Sequence, residues 1–395
     1  MRPVAAVVSL LLAGCALQAP TTVASTPHSS VASPARGSAA PSDTSQPTSV
    51  TDPIAPCLAM AEGLSLKARA GQLVMVGVSG TLDASERTAI TTYKAGSVIL
   101  MGGTPGGVTG VAKLTASVRK LGGQTGVLVA ADQEGGLVQR LKGPGFATIP
   151  SAAKQARLSD SALTMAAKGW GTALAKAGVR LDLAPVADVV PAGNVSSNRP
   201  IARLGRGYGS DPKKVSAKVG AFRAGLKAAG VESAVKHFPG LGAVKGNTDF
   251  TANVVDNTTT ATSPLLRPFH DAAAARTGAV MVSSAIYRKI DGKNVAMFSP
   301  KVIGILRGWG YEGVVISDDL GAAVAVKHVP ASQRAYRLVA AGGDIALTVN
   351  PSLASSLVSG LVAHAKSSPS FSRTMTASVG RVLQLKESLG LISCG

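Results

Sequence analysis

Aromatic and acidic residues are scarce in this sequence. Phe, Trp and Tyr make up 4% of the 395 residues, and 21 Asp and Glu face 40 Lys and Arg, a formal net charge of +19. A basic surface of this kind suits an anionic envelope or an acidic polymer. Nucleic acid is a poor partner, because the chain has few aromatic side chains on which bases could stack and shows no zinc motif.

The apolar run at the N-terminus, from Val4 to Ala13, is too short to cross a bilayer, which takes about 20 residues. Arg2 precedes it, and Leu-Ala-Gly stands directly before Cys15. These features predict a lipoprotein signal peptide over residues 1–14, after which Cys15 carries the lipid. An ordinary signal peptide that contains a Cys is the alternative. We expect an exported protein, anchored by lipid to the outer face of the cytoplasmic membrane.

Large apolar residues are also rare from about residue 16 to residue 52, where Ser, Thr, Pro, Ala, Gly and Val dominate. Such a composition buries too little apolar surface to offset the entropy of ordering, so residues 15–54 are predicted to be a disordered, flexible tether. Residues 55–395 are apolar and Gly-rich without a second linker, which predicts one domain. A monomer is the default expectation.

Cysteine occurs three times, at positions 15, 57 and 394. If lipid takes Cys15, the pair Cys57 and Cys394 remains, and in an exported protein such a pair favours a disulfide over two free thiols. In the chain-entropy model a loop this long gives roughly 5 kcal/mol, an upper figure. The five histidines are scattered with no Cys or His partner at ligand spacing, so we predict neither a metal site nor a cofactor.

Eight short runs rich in Val, Ile and Leu follow residue 70. Polar and apolar residues do not alternate in them, which predicts parallel strands covered on both faces. Helix-like segments such as 213–230 and 299–310 lie between them and end at or near glycines. The pattern predicts an α/β fold with a single (β/α)8 TIM-type barrel; a doubly wound sheet is the runner-up, without its G-x-G-x-x-G sequence. The runs cover 72–79, 95–102, 126–133, 181–189, 232–240, 278–287, 313–319 and 343–348.

Polar residues follow several of these runs at the end where a barrel carries its functional face. Each residue alone could be a helix cap or a turn former. Together, carboxylates and cations on one rim favour a carbohydrate or phosphate pocket. Asp318 follows the buried run VVIS and suits a nucleophile held in a fixed geometry. The residues are Asp132, Glu134, Asp188, Lys236, His237, Ser284, Asp318 and Asp319.

Four motifs together resemble glycoside hydrolase family 3, specifically its single-domain β-N-acetylglucosaminidases. They are DQEGGLVQRL (132–141), LDLAPVADV (181–189), KHFPGLG (236–242) and VVISDDLGA (314–322), and the resemblance extends from residue 65 to residue 391. It implies a retaining mechanism, in which Asp318 attacks the anomeric carbon and forms a covalent glycosyl-enzyme. It also implies that the sugar hydroxyls are bound by Asp132, Arg206, Lys236 and His237, with Arg203 as a rival to Arg206.

The chain departs from the family in one loop. Family members of this type carry an Asp-x-His pair there, whose His is the general acid/base, whereas this chain has Asn247 and Asp249 at those positions. An ordinary Asp titrates near pH ~3.9 and is ionised at neutral pH, so burial would have to raise the pKa of Asp249 for it to donate a proton. We predict Asp249 as the acid/base and Asn247 as the residue that orients it.

The resemblance predicts an exo-acting enzyme that hydrolyses terminal β-linked N-acetylglucosamine from peptidoglycan fragments (muropeptides). Two alternatives stay open because of the changed loop. One is a catalytically weak or non-catalytic lipoprotein that binds cell-wall fragments, and the other is a phosphorylase in which phosphate replaces water on the glycosyl-enzyme. Turnover of natural against activated substrates separates the first alternative, and rates with and without phosphate separate the second.

Overall fold

The computed structural model describes residues 54–395, and a ring of eight parallel strands forms its centre. The predicted (β/α)8 barrel is confirmed, with one strand in each of the eight predicted runs. The signal peptide of residues 1–14, the lipidated Cys15 and the tether before Ile54 lie outside the described residues and stay predictions. The strands are β1 Val74–Val78, β2 Ser97–Leu100, β3 Leu128–Ala131, β4 Leu181–Asp182, β5 Glu232–Phe238, β6 Ala279–Val282, β7 Val314–Ser317 and β8 Ala346–Thr348.

The strands follow one another around the ring in chain order. Met75 of β1 pairs with Ser97 of β2, and Val74 of β1 pairs with Ala346 of β8. A parallel bridge between Ile316 and Ile345 joins β7 to β8 and closes the ring. All the residues of β1, β2, β3, β6 and β7 are buried, as expected for strands with side chains in the barrel interior on one face and under helices on the other.

Helices cover the outside of the barrel. The two predicted helices at 213–230 and 299–310 are present as α7 and α10, each begun by a side-chain cap from Asp211 or Ser299. The helices are α1 Ala55–Gly63, α2 Leu66–Gln72, α3 Ala84–Thr91, α4 Gly107–Lys120, α5 Ala152–Gln155, α6 Asp160–Lys176, α7 Pro212–Ala228, α8 Arg267–Ala274, α9 Arg288–Asp291, α10 Pro300–Gly308, α11 Ala331–Ala340, α12 Ala354–Ser367 and α13 Pro369–Ser388. Within residues 54–395, no helix is both long and apolar enough to span a membrane.

Two small sheets stand outside the ring. A hairpin follows β3, with strands Gln133–Gly135 and Val138–Gln139. A three-stranded sheet joins Val255–Asp256, Ile286–Tyr287 and Gly292–Val295. The hairpin begins at Gln133, two residues after the end of β3 at Ala131. It therefore lies at the carboxyl ends of the strands.

The two ends of the described chain meet at the end of the barrel opposite the carboxyl ends of the strands. The sulfur atoms of Cys57 in α1 and Cys394 are bonded across 337 residues, as predicted. Glu387 lies beside the bond, and its Oε1 accepts from the Cys394 N–H at 2.8 Å. Among described residues, Cys57, Glu387 and Cys394 form the one group close enough to share a metal ion, but the disulfide already uses both sulfurs.

Lys386 of α13 is buried completely just inside this end. Its Nζ donates to Gln72 Oε1 at 2.6 Å, Thr125 O at 3.0 Å and Gly126 O at 3.1 Å. Burial lowers the pKa of Lys386 to about 7, and no carboxylate of residues 54–395 contacts the ammonium group to oppose this shift. One side chain thus ties the last helix to the segments that lead into β1 and β3.

Candidate active site

A cavity of about 710 Å³ opens at the carboxyl ends of the strands. Residues of β2, β5, β6 and β8 line it, together with residues of the loops that follow the strands, as the barrel geometry requires. The predicted residues that line it are Asp132, Arg206, Lys236, His237, Asn247, Asp249 and Asp318. Arg206 lines the cavity, whereas Arg203 is not among the lining residues. The structure brings the seven together; their roles stay predictions.

A cluster of charged and polar side chains forms the floor of the cavity: Asp132, Glu134, Arg206, Lys236 and His237. Glu134 lies at the centre of this floor and is only 4% exposed. Arg206 binds it with two hydrogen bonds, Nε to Oε2 at 2.9 Å and Nη2 to Oε1 at 2.7 Å. Lys236 lies between two carboxylates, with Nζ 2.6 Å from Asp132 Oδ1 and 2.7 Å from Glu134 Oε1. Burial alone would raise the pKa of Glu134, but the charges of Arg206 and Lys236 outweigh it and hold that pKa well below its usual range.

His237 is held in one orientation by Asp188. Its Nδ1 lies 2.7 Å from Asp188 Oδ2, and Asp188 Oδ1 accepts from the backbone N–H groups of His237 at 3.1 Å and Leu241 at 2.8 Å. A carboxylate accepts hydrogen bonds, so Nδ1 carries the proton. Its other ring nitrogen, Nε2, lies 3.4 Å from Arg206 Nη2.

The neighbouring carboxylates Asp318 and Asp319 have different surroundings. Asp319 is saturated by backbone amides, since its Oδ1 accepts from Gly321 at 2.9 Å and Val349 at 3.1 Å and its Oδ2 accepts from Ala322 at 2.8 Å. From the described part of the chain, Asp318 accepts only from the Asp319 N–H, at 2.9 Å on Oδ1, and from Ser284 Oγ, in a long contact of 3.4 Å on Oδ2. Asp319 therefore shapes the loop, while Asp318 keeps lone pairs for a reacting atom.

The changed loop places Asp249 at the mouth of the cavity. Val324 N–H donates to Asp249 O at 3.3 Å, and Ala325 N–H donates to Thr248 O at 3.4 Å. Asp249 is exposed, but it also lines the cavity, where other protein groups partly bury its carboxyl. That burial, with the charge of Asp318, raises the pKa of Asp249 to about 6, against the opposing charges of His237 and Arg206.

Asn247 supports this loop through the backbone. Its Oδ1 accepts from the Asp249 N–H at 3.0 Å, an Asx turn that sets the direction of the following residues. The contact that forms is to the backbone of Asp249, and the orienting role of Asn247 stays a prediction. The Asn247 side chain also lines the cavity, where its NH₂ group can meet a ligand.

Glu134 and Asp188, which the sequence places on the rim without a specific role, lie at the cavity, and so do Arg140 and Asp182, which the sequence does not single out. Glu134 and Asp188 form the pairs described above, and Arg140 lines the cavity with a side chain that has no partner among the described residues. Asp182 is buried beneath the floor and accepts from Gln133 N–H at 3.0 Å. Burial raises the pKa of Asp182 to about 8, helped by the charges of Asp132 and Glu134. Arg140 and Glu134 lie inside DQEGGLVQRL, which was the available signal.

The cavity has a polar floor and one carboxylate, Asp318, with lone pairs left for a reacting atom. Such a site is typical of an enzyme that acts on a hydroxyl-rich small molecule. Residues 65–385 match the Glycosyl hydrolase family 3 N terminal domain. Beta-hexosaminidase LpqI of Mycobacterium tuberculosis is 32% identical over 333 residues, 79% of this chain and 81% of that protein. The chain belongs to glycosyl hydrolase family 3 and is a glycoside hydrolase.

Solved structures agree with this assignment. The crystal structure of beta-N-acetylhexosaminidase from Beutenbergia cavernae gives a TM-score of 0.79 at 41% identity and covers 82% of this chain and 99% of that one. The structure of M. tuberculosis LpqI gives a TM-score of 0.73 at 30% identity, with coverage of 84% and 96%. The chain therefore groups with the β-N-acetylhexosaminidases of the family.

Proposed function

We propose that the chain is a retaining exo-β-N-acetylglucosaminidase in which Asp318 is the nucleophile and Asp249 the acid/base. The observation that carries the proposal is the contrast between Asp318 and Asp319, because only Asp318 keeps a carboxylate oxygen without a strong donor. The floor supports it: Lys236, Arg206 and His237 line the cavity and offer polar groups to the hydroxyls of one terminal sugar.

The raised pKa of Asp249 suits the first step of a retaining mechanism. Protonated Asp249 gives its proton to the glycosidic oxygen while Asp318 attacks the anomeric carbon, so the C–O bond breaks as the ester to Asp318 forms. In this chain the carboxyl group of Asp249 then supplies the proton that an imidazole supplies in family members with the Asp-x-His pair. A carboxyl whose pKa is about 6 carries a proton in a useful fraction of molecules near neutral pH.

The same electrostatics supports the second step. Part of the upward shift in the pKa of Asp249 comes from the charge of Asp318. Esterification removes that charge, so the pKa of Asp249 falls and it becomes the carboxylate base that activates water. Hydrolysis of the ester restores the charge on Asp318 and with it the affinity of Asp249 for a proton.

For the substrate we propose β-linked terminal N-acetylglucosamine on peptidoglycan fragments, met by a lipid-anchored protein outside the cytoplasmic membrane. The support is the hexosaminidase grouping, the cavity of about 710 Å³ and the predicted signal and lipidation at Cys15. The disulfide between Cys57 and Cys394 is consistent with an oxidising compartment.

Trapping the covalent intermediate tests the mechanism. A fluorinated N-acetylglucosaminide should label the peptide that contains Asp318, and a label on Asp319 or no label would overturn the assignment. Asp249→Ala should lower kcat/KM for an unactivated disaccharide by about a hundredfold or more and for a nitrophenyl glycoside much less, because a good leaving group needs little acid. Equal rates in phosphate and in a non-phosphate buffer would argue against phosphorolysis.

A further inference from the structure

Two of the most exposed apolar side chains of the described protein stand at the mouth of the same cavity. Phe250 is 81% exposed and Leu137 is 75% exposed, and both line the cavity whose floor is charged. Water around an exposed Phe or Leu side chain is unfavourable, and burying it against a ligand recovers that free energy. The cavity thus has a polar floor and an apolar rim, which calls for a ligand with two chemically different parts.

The two side chains come from separate elements. Leu137 lies at the turn of the hairpin Gln133–Gly135 and Val138–Gln139. Phe250 directly follows Asp249 in the loop fixed by Val324 and Ala325, and its own N–H donates to Asn247 O at 3.1 Å. The ring of Phe250 has no aromatic partner in residues 54–395. Its exposure is therefore built into a loop whose backbone is held in place.

The position of Phe250 in the chain says which part of a substrate it meets. The proton donor must reach the glycosidic oxygen, so the leaving group begins at the Asp249 carboxyl. Phe250 is the next residue and faces the same cavity. An aglycone ring attached to that oxygen therefore lies against the rim, while the terminal sugar occupies the charged floor.

We propose that Phe250 and Leu137 form the aglycone subsite and that it takes a second pyranose ring, whose C–H face packs on the aromatic ring. A pyranose suits this rim because one face presents C–H groups, with a partial positive charge that the face of an aromatic ring attracts. This inference rests on the proposed function and on the donor role of Asp249. It assigns to Phe250 and Leu137 a preference for saccharide leaving groups over small leaving groups such as methanol.

Kinetics with two unactivated substrates test the subsite. N,N′-diacetylchitobiose and methyl β-N-acetylglucosaminide share the terminal sugar, and both leaving groups are alkoxides that need a proton. Phe250→Ala should lower kcat/KM for the disaccharide by about tenfold and change that for the methyl glycoside by less than about twofold. Leu137→Ala should cause a smaller loss of the same selectivity, and Phe250→Trp should retain it.

Met165 supplies the matched control, because it is 70% exposed on α6 and does not line the cavity. Met165→Ala should leave both substrates unchanged. Equal losses on both substrates in Phe250→Ala would mean that Phe250 only supports Asp249, and no loss on either would mean that the aglycone lies elsewhere; each result overturns the proposal. Failure of the wild type to cleave even a nitrophenyl N-acetylglucosaminide would instead contradict the proposed function.

Discussion

At the scale of single residues, the site separates groups that look alike in the sequence. Asp318 and Asp319 are adjacent, yet backbone amides occupy one and leave the other available. Asp249 and Asp182 both have raised pKa values, but Asp249 stands at the mouth and Asp182 lies buried under the floor. Burial at the mouth leaves a proton within reach of substrate, whereas burial below the floor only keeps a carboxyl uncharged.

The pH dependence of turnover follows from Asp249. Its pKa is raised to about 6, and the protonated form is the donor. We expect kcat/KM for N,N′-diacetylchitobiose to fall as pH rises through about 6. For a nitrophenyl N-acetylglucosaminide, kcat/KM should keep its value further into the alkaline range. Parallel pH profiles from pH 4 to 9 with the two substrates measure this. Superimposable alkaline limbs would show that Asp249 is not the donor.

The contacts of the site could not be derived from the sequence. The motifs led to Asp132, Lys236 and Asp318 because these residues follow apolar runs, and barrel geometry places strand ends together. The Glu134–Arg206 pair joins residues 72 positions apart, and no local pattern encodes such a distance. The Asx turn of Asn247 was likewise invisible, because an Asn side chain can bond either a backbone amide or a neighbouring side chain.

At the scale of elements, every predicted strand exists but β4 is much shorter than its run. The run 181–189 was read as one strand, whereas regular pairing covers Leu181–Asp182 and resumes only at the bridge between Val186 and Lys236. Pro185 has no N–H to give to the ladder, which explains the break. The hairpin after β3 was missed, because Gly135 and Gly136 adopt φ values of 100° and 59° that no apolar pattern signals.

Helix α13 depends on its buried lysine. Lys386→Met should lower the free energy of unfolding by about 2–4 kcal/mol at pH 7, because the buried Gln72 Oε1 and two half-buried carbonyl oxygens lose their donor. The folded pKa is lowered to about 7, while the unfolded chain has a normal lysine. The unfolded state therefore binds more protons between these values, and the wild type should gain stability from pH 7 to 9.

Urea unfolding of the wild type and of Lys386→Met at pH 7 and pH 9 measures both effects. Lys168→Met, on the exposed face of α6, is the matched control and should leave stability unchanged. A Lys386→Met protein as stable as the wild type at pH 7 would mean that the helix does not need these three hydrogen bonds. An identical pH slope in both proteins would mean that Lys386 stays charged when folded.

At the scale of the whole molecule, the disulfide joins the first and last elements of the barrel. Its removal in Cys57→Ser/Cys394→Ser frees a loop of 337 residues in the unfolded chain. We expect a loss of up to about 5 kcal/mol in the free energy of unfolding, with nearly unchanged kcat/KM, since the bond lies far from the cavity. Calorimetry of the two proteins, with activity at 25 °C, measures this. An unaltered Tm would contradict it.

The chain ends and the cavity lie at opposite ends of the barrel. Leu391 and Ile392 lie against Gly126, which leads into β3, so Cys394 and its partner Cys57 sit at the base of the barrel while the cavity opens at the top. The mouth of the cavity lies at the other end of the barrel, so a molecule that contacts the base leaves the mouth uncovered.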